Sequence, residues 1–60
     1  MTKEARKGME WAVQEVRTGL KNGWTADEVL IEIGVTSLED TTFFLAYVQQ
    51  EHPKLYKSIV

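Results

Sequence analysis

The chain has 60 residues, a net charge of -2, 43% hydrophobic and 27% charged residues, and no cysteine. These values exclude disulfides and thiolate metal sites, argue against disorder, and set aside a broad nucleic-acid-binding surface, which makes a small domain strongly basic. One domain of this size buries only about 60% of its unfolded surface, so its stability has to come from helix packing or from a partner chain.

Residues 2–22 read as a first helix, because Ala5, Met9, Ala12, Val13, Val16 and Leu20 recur at three- and four-residue spacing and so share one stripe. Asn22-Gly23 is its stop signal, since glycine takes the left-handed conformation that closes a helix. An Asn-Gly hairpin is the competing reading, but the flanking residues show helical rather than alternating periodicity. Thr25 and Glu28 are spaced as a capping box, with Trp24 and Val29 placed as its hydrophobic staple. The second helix then starts at Ala26 and ends at Gly34, with Ala26, Val29, Leu30 and Ile33 facing inward.

Thr36 or Ser37 caps the third helix, with Glu39 or Asp40 placed to complete a second box. This helix spans Leu38 to about Glu51 and is apolar on every side in its middle, which normally means burial on every side. Leu38, Phe44, Leu45 and Val48 suit packing on the first two helices, whereas Phe43 and Tyr47 point the other way and need separate cover. Pro53 ends the helix and opens a short fourth one whose small apolar face is Leu55, Tyr56 and Ile59. That tail is the natural cover for Phe43 and Tyr47, with a second copy of the chain as the alternative. The expected fold is all-α: residues 1–60 form one compact bundle of three helices with a short fourth at the C-terminus.

The run from Thr25 through Glu28, Val29, Leu30, Ile33, Gly34 and Val35 to Ser37 resembles a helix-turn-helix motif over about 20 residues. The resemblance implies a second helix laid in the DNA major groove, its first residues reading base edges. Leu30 stands where the motif generally has a small residue, and Asp40 where it has an inward aliphatic. The reading helix would begin Thr36-Ser37-Leu38-Glu39-Asp40, with no Lys or Arg for bases or phosphates, so base reading by this helix is disfavoured.

Charge is unevenly placed. Lys3, Arg6, Lys7, Arg17 and Lys21 lie on the first helix, while Asn22 to Pro53 contains no Lys or Arg and holds Asp27, Glu28, Glu32, Glu39, Asp40 and Glu51. The basic set is the candidate contact for phosphates or for an acidic partner. Trp11 falls away from the apolar stripe and Ile31 lies opposite Val29 and Ile33, so both are candidate exposed anchors. Catalysis is not expected, because His52 and Ser58 lack a third orienting group, and neither a cofactor nor a metal site is expected from Glu28 and Glu32 alone. No apolar run reaches the about 18 residues of a membrane span, and the cytoplasm is the expected compartment.

The expected function is a small protein-interaction module, an adaptor or inhibitor that binds a larger protein through Trp11, Ile31, Phe43 and Tyr47. Two alternatives stand beside it: a dimeric DNA-binding regulator that touches DNA through the basic first helix, and a homodimer with Phe43 and Tyr47 at its seam.

Overall fold

Three of the four helices begin at a hydroxyl that accepts a bond from an otherwise unpaired backbone N–H. In the computed structural model, which describes all 60 residues, these are α1 (Lys3–Lys21), α2 (Ala26–Glu32) and α3 (Leu38–Glu51), and α4 (Pro53–Ile59) follows. Thr2 accepts from Ala5 N–H at 3.1 Å, Thr25 from Glu28 N–H at 3.1 Å and Ser37 from Asp40 N–H at 3.0 Å. Only the α2 cap is reciprocal, with Glu28 accepting from Thr25 N–H at 2.9 Å; the expected second box is present in one direction only. His52 makes no side-chain cap to α4, which starts on Pro53 instead.

The ends of α1 and α2 are built alike. Gly23 and Gly34 hold φ of 87° and 93°. Their N–H groups return to Leu20 and Ile31, and the next residues, Trp24 and Val35, donate to Gly19 and Leu30 at 2.9 and 2.8 Å. This paired closure satisfies carbonyls that the helix leaves free and turns the chain sharply.

Packing follows from the α1 stripe. Ala12, Val13 and Val16 of α1 meet Val29 and Leu30 of α2, Phe44, Tyr47 and Val48 of α3, and Leu55 of α4 in one buried core with no polar or charged residue in it. The α1–α2 approach is close because position 19 has no side chain: a Cβ there would stand 2.2 Å from the Val29 Cγ2. With 19 residues, α1 is about 28 Å long at 1.5 Å per residue, so it runs most of the molecule's 32 Å length.

Two assignments on α3 need correction. Leu38 is 84% exposed, because it is the first residue of its helix and precedes the turn that meets α1. Tyr47, expected as a binding anchor, is instead buried at 8% exposure in the same core as Leu55 of α4, which agrees with cover by the C-terminal tail: its hydroxyl donates to the Glu10 carboxylate and its ring lies near His52, with centroids 6.2 Å apart. Phe43, one turn earlier, is left uncovered at 61%. No helix is long and apolar enough to cross a membrane.

Candidate functional site

The exposed Phe43 faces a groove. On α1, Ala5, Gly8 and Ala12 lie at three- and four-residue spacing along one side of the groove, and their small size keeps that wall low. Trp11 rises at its edge, 54% exposed. From the other side α3 brings Asp40 and Phe43, with buried Phe44 beneath, and the α2–α3 turn contributes Ile33 and Val35. The groove encloses about 440 Å³, and eight of its ten lining residues are hydrophobic. A Cβ on Gly8 would meet no atom within 4 Å, so the glycine opens the groove rather than relieving a clash.

A second hollow of about 210 Å³ lies between the C-terminal half of α1 and α2. Glu15, Thr18 and Asn22 form its α1 wall, and Trp24, Val29 and Glu32 face them. Ile33 lines both hollows.

A polar cluster joins α1 to the α3–α4 joint. The Glu10 carboxylate accepts from the Tyr47 hydroxyl and contacts His52 Nε2 at 2.8 Å, while His52 Nδ1 faces the Arg17 guanidinium at 3.4 Å. The Tyr47 hydrogen bond, seconded by that of His52, holds the Glu10 carboxyl below its usual range, and the same bond to a carboxylate raises the Tyr47 phenol. Arg6 pairs with Glu51 close by. These contacts hold the C-terminal elements to α1. No grouping of three or more His, Asp or Glu side chains suits a metal ion.

Of the anchors expected from sequence, Trp11 and Phe43 share the groove, Ile31 is 63% exposed but lies outside it, and Tyr47 belongs to the polar cluster. Of the basic residues, Lys3, Arg6 and Lys7 border a shallow depression with Glu10. Arg6 is already engaged by Glu51 and Arg17 turns toward His52, while Lys21 sits in the last turn of α1. The basic positions therefore do not form one unpaired stripe. Sequence reasoning missed Gly8 and Val35 as groove residues; the available signal was a glycine inside a helix, where it is unfavourable and needs a reason.

Comparison with known proteins finds no matching family model, no matching curated protein and no matching solved structure.

Proposed function

We propose that this chain is a protein-interaction module, an adaptor or inhibitor working in the cytoplasm, that docks on a larger protein through the α1–α3 groove with Trp11 and Phe43 as its anchors. The observation that carries this reading is two large aromatics, each more than half exposed, on opposite rims of one apolar concavity. Apolar grooves flanked by Trp and Phe fit the energetic centres of protein interfaces, where a few aromatic side chains supply most of the binding. Ile31, away from the groove, has no anchoring role in this reading.

The magnitude sets a condition. Side chains of this kind bury roughly 150–250 Å² each, so the exposed halves of Trp11 and Phe43 amount to on the order of 200 Å², or about 5 kcal/mol of gross driving force. Association itself costs an estimated 4–15 kcal/mol, so two anchors only break even and a partner must also engage neighbouring surface.

The test is affinity capture from native cell extract, with and without nuclease, using wild type and the Trp11→Ala, Phe43→Ala and Ile31→Ala variants. The expected result is one protein retained by wild type and Ile31→Ala in both arms and lost from the two groove variants. Retention unaffected by Trp11→Ala and Phe43→Ala refutes the reading, and loss on nuclease treatment redirects it to nucleic acid.

A further inference from the structure

The groove does not stop at Trp11. Ala5, Gly8, Ala12, Glu15, Gly19 and Asn22 recur at three- and four-residue spacing and line, in order, first the apolar hollow and then the one beside α2. They mark a track from Ala5 on α1 to its C-cap Asn22, 17 residue steps or about 25 Å at 1.5 Å per residue. Ile33 borders both hollows and makes the track continuous.

The two halves differ in chemistry. The N-terminal half is apolar, with Asp40 at its rim, whereas the second half holds Glu15 and Glu32 beside the half-exposed Trp24. No Lys or Arg lines either hollow, and the chain's ion pairs involve other carboxylates, those of Glu51 and Glu10. Carboxylates in a concavity with low-dielectric walls concentrate negative potential, and an indole face next to them attracts a cation further.

We infer that the track takes an amphipathic helix of a partner protein, apolar at one end and carrying Lys or Arg about two turns further on. This rests on the docking role proposed for the groove and names the chemistry of the partner. The register comes from the track itself: Gly8 and Glu15 are seven residues apart on a straight helix, about 10 Å. A helix lying along α1 matches that distance with apolar residues at i and i+4 and cations at i+7 and i+8. Nucleic acid, with its own negative charge, is repelled by the same carboxylates.

The probes are two synthetic alanine-based helices with Leu at i and i+4, one with Arg at i+7 and i+8, the other with Glu there. Each is titrated into the isotopically labelled full chain at low and at high salt, and amide and indole resonances are followed. The Arg peptide is expected to move the indole N–H signals of both Trp11 and Trp24 and to bind at least about fivefold tighter than the Glu peptide at low salt, the difference fading as salt screens it. Replacing both Glu15→Gln and Glu32→Gln removes the preference but keeps the apolar contact, whereas Gly8→Leu fills the apolar hollow and abolishes binding of both peptides. Equal binding of the two peptides, with Trp11 moving and Trp24 still, overturns the acidic half of the track and leaves the groove reading intact. Silence at millimolar peptide overturns both. Resonances of the track that shift with the concentration of the chain alone overturn the inference in favour of a second copy as the occupant.

Discussion

Replacing glycine by alanine at two places in α1 should move stability in opposite directions. Gly8 and Gly19 sit in the same helix, and in each case alanine recovers about 1 kcal/mol of helix propensity. At Gly8 nothing lies within 4 Å of the new methyl, so the full gain is expected, about 4–8 °C in Tm for a domain of this size. At Gly19 the methyl would stand 2.2 Å from Val29 Cγ2, against an optimum of about 3.5–4.0 Å for two carbons. Val29 is 5% exposed, and a β-branched side chain in a helix has one strongly preferred rotamer, so it cannot swing aside and the helices must separate. Overpacking of this severity costs about 3 kcal/mol; less the propensity gain, Gly19→Ala should lose about 2 kcal/mol, or roughly 8–16 °C. That is a large share of the roughly 3–5 kcal/mol a core of this size supplies. Urea titrations followed by circular dichroism, with thermal melts alongside, measure both variants. Because the clash is with one side chain, Gly19→Ala and Val29→Ala should couple, the double variant losing less than the sum of the two. A Gly19→Ala protein as stable as wild type, or strict additivity with Val29→Ala, would refute the close approach.

Neighbouring phenylalanines should part in the same way: Phe44→Ala removes a ring that is 2% exposed and should cost about 3–5 kcal/mol, leaving the chain largely unfolded at 25 °C, whereas Phe43→Ala should stay within about 0.5 kcal/mol of wild type. Circular dichroism of the two variants separates these outcomes. The Glu10–Tyr47 bond makes a two-sided pH prediction. Glu10 is lowered from 4.5, so its contribution to stability is complete above about pH 4.5 and is lost as pH falls through the lowered value. Tyr47 is raised from 10.0, so its contribution is present below pH 10 and is lost as pH rises through the raised value. The stability difference between wild type and Tyr47→Phe should therefore be flat between these limits and shrink beyond each; a difference that stays constant from strongly acid to strongly alkaline pH contradicts the bond.

The helices were legible because their signals are local. The Thr25–Glu28 box, Ser37 before Leu38, Gly23, Gly34 and Pro53 each act within about one turn, and α3 and α4 begin where those residues place them. Which side of α3 is covered was not legible, because the cover comes from far along the chain. Tyr47 and Phe43 look equivalent in sequence, yet Tyr47 finds Glu10, 37 residues away, and Phe43 finds nothing. Gly8 and Gly19 likewise read the same until the structure places Val29 against one and open space against the other. Trp11 was recognisable as an outlier on its helical wheel, but its partner across the groove was not, since that pairing depends on how α1 crosses α3.

Position 8 also allows the most direct test of the docking groove. Leucine there has better helix propensity than glycine and meets no atom within 4 Å at its Cβ, so the side chain occupies the groove without disturbing the core. Once a partner has been captured, its affinity for wild type and for Gly8→Leu is compared by titration calorimetry, with melting temperatures measured in parallel. The expected result is a Gly8→Leu protein that melts no lower than wild type and binds at least about tenfold more weakly, a loss of about 1.4 kcal/mol. A stable Gly8→Leu protein that binds the partner as tightly as wild type would contradict the groove as the docking surface.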